Sequence, residues 1–109
     1  MVTSTEMGQW QRQVDSVSIH NDVVDYIVAC VRQTRHHPDV LMGASPRTGV
    51  KVSRLARALA LLRGQDYATI DLVKEIFLPA VSHRLVMQDA SQSSVPLLEE
   101  ILKTVPVGA

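Results

Sequence analysis

Apolar positions recur at three- and four-residue steps along most of the chain, the spacing of one face of an α-helix. Residues 5–15 carry the weakest such pattern, being polar with scattered apolar positions. Residues 17–19 (Val-Ser-Ile) alternate and predict a short extended segment. The clearest stripe lies between Asn21 and Gln33 and consists of Val23, Val24, Ile27, Cys30 and Val31, with Tyr26 beside it. No strand pair is predicted, and the pattern indicates an all-α bundle of four to five helices.

A loop is predicted from Thr34 to Ala44, because His37 precedes Pro38 and the residue before a proline avoids the α region. The next helix follows at once. Ser45 suits its N-cap and Pro46 its first helical position, where no backbone N–H donor is needed. The sequence therefore places a third helix directly after the loop.

This third helix is expected to run to Arg63, with Gly64 placed to end it. We expect its leucine side to face the core and its alanines to permit close contact with other helices. The expected inward positions are Val52, Leu55, Leu59 and Leu62, and the alanines are Ala56, Ala58 and Ala60.

Thr69 is predicted to cap a fourth helix, with Asp71 in its positive first turn. Pro79 lies inside the apolar pattern and is expected to kink the helix or divide it. A polar stretch at 88–94 leads to a last helix from about Pro96 to Thr104. The apolar face of the fourth helix consists of Val73, Ile76, Phe77, Ala80 and Val81.

The chain has 109 residues, which is room for one domain with a modest core. A membrane span is not expected, because Arg57 divides the richest apolar run, residues 56–62. The first 30 residues do not resemble a secretion signal, and Cys30 is alone, which excludes an internal disulfide. We therefore expect a cytoplasmic helical accessory domain, too short for a complete nucleotide-hydrolysing fold.

The net charge is zero, yet the charges are unevenly distributed. Residues 31–64 carry seven bases and one acid, whereas residues 1–30 and 65–109 each have a net charge of −3. A basic middle between acidic flanks suggests an anionic ligand or partner near the centre of the chain. The alternative is that these charges only solvate helix faces.

The basic middle contains Gly43 to Lys51, which superficially suggests a phosphate-binding loop. That loop needs a glycine directly before its lysine and a hydroxyl directly after it, and here Val50 and Val52 stand in those places. A nucleotide-cradling loop is therefore excluded.

Three cations instead share one side of the third helix. Arg47, Lys51 and Arg54 fall within about 60° of one another on a helical wheel of 3.6 residues per turn. Arg47 would lie in the first turn, where free N–H groups and the helix dipole favour an anion. Its planar guanidinium matches phosphate oxygens, so the segment is a candidate anion site.

Other chemistry finds little support. His36 and His37 are adjacent in the predicted loop, and Asp39 does not complete a four-ligand set, so no metal site is expected. No Ser or Cys has a base and an orienting acid at a recognisable spacing, so no catalytic residue is expected. Nucleic-acid binding by the basic helix remains an alternative, although the net charge is zero and few aromatics could stack on bases.

In order along the chain, several short motifs resemble the C-terminal lid domain of MoxR-type AAA+ ATPases, over roughly residues 15–107. The family usually has G-R-D-[YF]-V where this chain has Gln65, so one charge of that turn is missing here. The motifs are Tyr26-Ile27-Val28, Thr34-Arg35, Gly43-Ala44-Ser45-Pro46-Arg47, Gly64-Gln65-Asp66-Tyr67, the helix at 70–82, His83-Arg84, Ile101-Leu102 and the valine-proline ending.

The resemblance implies that residues 1–109 form a single helical lid domain without the N-terminal ATPase core. It implies that Arg47 is the sensor 2 residue, which reaches the γ-phosphate of ATP, with Ser45, Lys51 and Arg54 as supporting candidates. Thr34-Arg35 and His83-Arg84 are expected to shape the lid or to meet a neighbouring subunit.

The resemblance also implies a longer parent that hydrolyses ATP with Mg²⁺, whereas this chain alone is not expected to be catalytic. The implied partners are its own ATPase core, neighbouring subunits of a ring, expected to be a hexamer, and proteins with von Willebrand A domains. Such parents act as chaperones that remodel partners. The alternative is a free-standing helical bundle that binds nucleic acid or a protein.

Overall fold

Five α-helices make up most of residues 4–107. The computed structural model describes residues 4–107, so the ends of the predicted 1–109 domain, residues 1–3 and 108–109, lie outside the described part. The all-α prediction is confirmed, and a short 3₁₀ turn, Ser82–Arg84, follows the fourth helix. The helices are α1 (Ser4–Ser16), α2 (Asn21–His36), α3 (Pro46–Leu62), α4 (Ile70–Val81) and α5 (Val95–Thr104).

Short strands join the loops in pairs, contrary to the expectation of no strand pair. The first strand, β1 (Ser18–Ile19), runs parallel to β3 (Tyr67–Ala68). The second, β2 (Val40–Met42), runs antiparallel to β4 (Val86–Met87), with a register shift between Val40 and Met42. Strands of two or three residues are too short to show the alternation of apolar and polar residues that marks a β-strand. The sequence therefore predicted only the extended segment at 17–19.

The end of α2 corrects the predicted loop. Thr34 to His36 continue the helix, and residues 40–42 form β2, so only residues 37–39 and 43–45 are irregular. The helix ends three residues later than predicted, although for the predicted reason: His37 before Pro38 takes the extended conformation, with φ −77° and ψ 133°.

The core lies between α2, α3, α4 and α5. Its largest fully buried side chains are Tyr26, Phe77, Ile27 and Leu98. The Tyr26 hydroxyl donates a hydrogen bond of 2.5 Å to the carbonyl of Leu102, which is in the last turn of α5. Because a helix leaves its last carbonyls without helical partners, this bond both satisfies a buried polar group and fastens α5 to α2.

The prediction that the leucines of α3 face inward is wrong for most of them. Leu55 and Leu62 are exposed by 46% and 71%, and Leu59 is only partly buried. Helices α1, α2 and α4 all contact α3, and only small side chains allow packing that close on several sides. The buried positions are Thr48, Gly49, Val52, Ala56 and Ala60, which includes two of the three alanines expected to permit close contact.

Capping residues set the ends of α3 and α4 as predicted. Gly64 has a positive φ of 72°, and the N–H groups of Gly64 and Gln65 donate to the carbonyls of Leu61 and Ala60. These two bonds form a Schellman motif. At the start of α4, the Thr69 hydroxyl accepts a hydrogen bond of 3.3 Å from the Leu72 N–H.

Pro79 does not divide the fourth helix. It lies near the end of α4, which continues through it to Val81 before the 3₁₀ turn begins. The ring is exposed, and the only helical donor lost is its own missing N–H. Within residues 4–107, no helix combines the length and apolar character required to cross a membrane.

Candidate functional site

The segment from Gly43 to Arg47 is fixed to the end of α2 by the hydroxyl of Thr34. This side chain is fully buried. Its hydroxyl donates a hydrogen bond of 2.6 Å to the Val31 carbonyl and accepts one of 3.0 Å from the Ala44 N–H. Ala44 is itself buried. One hydroxyl therefore joins the last turns of α2 to the residue that precedes the N-cap of α3.

Gly43 makes the close approach between these two segments sterically feasible. A Cβ atom added at this position would lie 2.7 Å from both the Cα and the backbone N of Arg35. Real Cβ atoms do not come so close to backbone, so any side chain here would push the segment away from α2. The Thr34-Arg35 and Gly43-Ala44 motifs thus act together and determine where α3 begins.

The start of α3 follows the predicted order, with one difference. Ser45 occupies the N-cap with an extended ψ of 162°, and Pro46 occupies the first helical position. The Ser45 hydroxyl makes no capping hydrogen bond. The Thr48 N–H, which this hydroxyl would cap, donates instead to the Ser45 carbonyl at 2.9 Å.

Arg47 is the second residue of α3, and its side chain is exposed. Among residues 4–107, the ion pairs all join other side chains. A cation in the first turn faces the positive end of the helix dipole, which disfavours it by about 0.3–1 kcal/mol. The position of Arg47 therefore lowers the stability of the fold slightly, and no contact between described residues compensates for this loss.

The other two predicted cations on α3 differ from each other. Lys51 is exposed and belongs to none of the ion pairs between described residues. Arg54 lies 3.6 Å from a carboxylate oxygen of Asp15, at the end of α1, with both side chains at least half exposed. An exposed pair at this distance contributes about 0–1 kcal/mol, so Arg54 remains available to another anion.

Helix α3 also brings two of these cations next to the His83-Arg84 pair, which the sequence did not predict. Together they line a cavity of about 390 Å³ between the outer side of α3 and the end of α4. We call this cavity the basic groove. Its lining consists of Lys51, Arg54, Leu55, Pro79, Ala80, His83 and Arg84. The sequence shows that the α3 cations and the His83-Arg84 pair are both basic. It does not show that they lie close together, because that depends on how α3 and α4 pack.

The described residues offer little for catalysis or for a metal. Nowhere in residues 4–107 do three His, Cys, Asp or Glu side chains come together as metal ligands. Cys30 is fully buried in the core, and burial raises the pKa of its thiol to about 11. A buried thiol with so high a pKa is almost entirely protonated near neutral pH, so Cys30 is a core residue rather than a nucleophile.

Comparison with known proteins identifies the domain. Residues 32–105 match the family model of the AAA lid domain. The chain is 34% identical to the chaperone MoxR1 of Mycobacterium tuberculosis, over 80% of this chain and 26% of that protein. It is 31% identical to the uncharacterized protein YeaC of Bacillus subtilis, over 89% of this chain and 32% of that protein. The chain thus spans about a third or less of these relatives.

The fold also matches a solved structure. A proposed ATPase from Cytophaga hutchinsonii superimposes with a TM-score of 0.84, over 90% of this chain and 34% of that one. The two share 24% sequence identity, so this likeness concerns the fold alone. Family model, relative and fold agree: the chain belongs to the AAA lid domain family, and it is a lid domain of the MoxR-type AAA+ ATPases.

Proposed function

We propose that this chain senses ATP for a ring-forming AAA+ ATPase, with Arg47 as the sensor 2 residue. The nucleotide and its Mg²⁺ would be held by an ATPase core outside the 109 residues. Arg47 would contact the γ-phosphate, either in its own subunit or in a neighbour. Ser45, the N-cap, would support that contact together with Lys51 and Arg54, which lie about one and two turns further along α3.

The observation that carries the proposal is the unused cation at the start of α3. Arg47 is exposed and opposes the helix dipole. A side chain that costs stability within the domain is best explained by a contact outside it. A γ-phosphate is a suitable partner, because its oxygens accept the paired N–H groups of a guanidinium.

The anchoring of α3 supports a mechanical role for this contact. The Thr34 hydroxyl and the close approach of Gly43 fix the start of α3 to α2. A pull on Arg47 by bound ATP would therefore move the domain as a body, and loss of the γ-phosphate would release it. Hydrolysis could in this way be coupled to remodelling of a partner, as the chaperone activity of MoxR1 suggests.

The remaining expectations concern the oligomeric state, the client proteins and the location of the parent enzyme. A ring of subunits, expected to be a hexamer, and von Willebrand A domain proteins as clients follow from the family resemblance. A cytoplasmic location is the expectation from the sequence. They are proposals, since the chain covers 26–32% of its curated relatives.

The test is an Arg47→Ala substitution in the full-length parent. We expect ATP turnover to fall by about 10²–10³-fold, the usual effect of losing one preorganised contact to transition-state charge. In the 109-residue chain the same change should leave helicity intact and Tm equal or slightly higher, because Arg47 opposes the dipole.

Arg32→Ala is the matched control, since Arg32 is also an exposed arginine on a helix but lies on α2. It should leave ATP turnover unchanged. Unchanged turnover in Arg47→Ala, or an equal loss in Arg32→Ala, would remove Arg47 from the mechanism.

A further inference from the structure

The basic groove has the character of a binding site for a partner. Its cavity of about 390 Å³ is lined by four basic side chains and by no acidic one. Two of these, Lys51 and Arg54, come from successive turns of α3, and the other two come from the 3₁₀ turn after α4. Helix packing therefore brings the charge of Arg84 close to those of Lys51 and Arg54, although like charges repel at short range.

Among residues 4–107, the ion pairs leave Lys51 and Arg84 without a carboxylate partner. The Arg84 Nε donates to the Ala80 carbonyl at 3.1 Å, which orients the guanidinium along the end of α4. The acid paired with a lining base is Asp15, at 3.6 Å from Arg54, and it does not line the groove. A carboxylate entering the groove would thus meet several donors at once.

Three of the residues that line the groove are apolar. Leu55 is 46% exposed, and it lies beside Pro79 and Ala80 in the lining. A lining that combines apolar side chains with cations suits a ligand that combines apolar side chains with carboxylates.

We propose that the basic groove binds an acidic peptide segment of a partner protein. Nucleic acid fits it less well, because the lining holds no Phe, Tyr or Trp side chain on which a base could stack. The groove shares Lys51 and Arg54 with the proposed nucleotide-sensing site, but Arg47 does not line it, and its His83-Arg84 side and its peptide ligand go beyond that role.

The experiment titrates the 109-residue chain against a short fluorescein-labelled peptide in which aspartate and glutamate alternate with leucine. Fluorescence anisotropy gives the Kd. We expect binding that weakens as salt screens the charges, and no comparable binding of a peptide with glutamine and asparagine in place of the acids. A DNA oligonucleotide of equal charge should bind more weakly than the acidic peptide.

Paired variants locate the site. The double variant Lys51→Gln, Arg84→Gln should raise the Kd by about fivefold, as expected for the loss of two exposed ion pairs. The control, Arg32→Gln with Lys103→Gln, removes the same charge from exposed positions outside the groove and should leave the Kd unchanged. Circular dichroism verifies that both variants keep their helices.

A charge-reversal variant distinguishes a direct contact with the peptide from an indirect effect of the substitutions on the fold. Lys51→Glu should weaken binding of the acidic peptide and strengthen binding of the matching lysine–leucine peptide. The proposal is overturned by equal binding of the neutral peptide, by an equal loss in the control variant, by tighter binding of the oligonucleotide, or by no binding of the acidic peptide at low salt.

Discussion

Removing the hydroxyl of Thr34 tests how the start of α3 is held. Thr34→Val replaces the hydroxyl with a methyl group of similar size, so the fully buried site gains no cavity. The Val31 carbonyl keeps its place in α2, but the N–H of Ala44 loses its acceptor at 3.0 Å. Because Ala44 is buried, water cannot readily replace that acceptor.

The expected magnitude follows from this orphaned donor. A buried N–H without a partner costs about 1–3 kcal/mol of unfolding free energy. For a domain of this size that corresponds to a Tm lowered by roughly 5–15 °C. Thermal and urea unfolding, followed by circular dichroism, measure the change, and hydrogen exchange should show faster exchange of the Ala44 amide.

Thr48→Val provides the matched control. Thr48 is 3% exposed, and its backbone N–H donates to the Ser45 carbonyl rather than to a side chain, so the same substitution should orphan no backbone donor and cost far less. Equal costs for the two variants, together with slow exchange of the Ala44 amide in Thr34→Val, would refute the anchoring role of this hydroxyl.

Two further substitutions and one titration probe other parts of the fold. Gly43→Ala should destabilise the chain by about 1–3 kcal/mol in urea unfolding, since its Cβ would lie 2.7 Å from Arg35 backbone. Gly8→Ala, whose Cβ would have 3.7 Å to its nearest neighbour in α1, should stabilise it by about 0.5–1 kcal/mol; the opposite ranking would contradict the steric argument. Burial raises the pKa of Cys30 from its ordinary 9.0 to about 11, so the unfolded chain loses the thiol proton first and stability should fall as pH rises through that window. Cys30→Ala should flatten that part of the pH profile of urea unfolding, and native Cys30 should resist iodoacetamide until denaturant is added; rapid native labelling would show that the thiol is accessible.

Local signals in the sequence predicted most helix ends. Pro38, Pro46, Gly64 and Thr69 each act through backbone geometry or a nearby hydrogen bond, so their effects can be anticipated without the tertiary structure. The motif that carries Arg47 was also recognisable, because its residues are consecutive.

Features that depend on packing could not be predicted in the same way. The inward face of α3 was misassigned, since side-chain volume favoured Leu55 and Leu62 whereas crowding by neighbouring helices selected Ala56 and Ala60. The basic groove and the bond from Thr34 to Ala44 join segments that are distant in sequence. Neither leaves a periodic pattern in the chain.

The division of α3 into a small-residue side and a leucine side has a consequence for how such domains can diverge. Val52, Ala56 and Ala60 are wholly enclosed, so enlarging them would disturb several neighbours at once. Leu55 and Leu62 can change with little effect on folding. A lineage can therefore keep this fold while its binding preferences change, because packing in the core and recognition at the surface depend on different residues of α3.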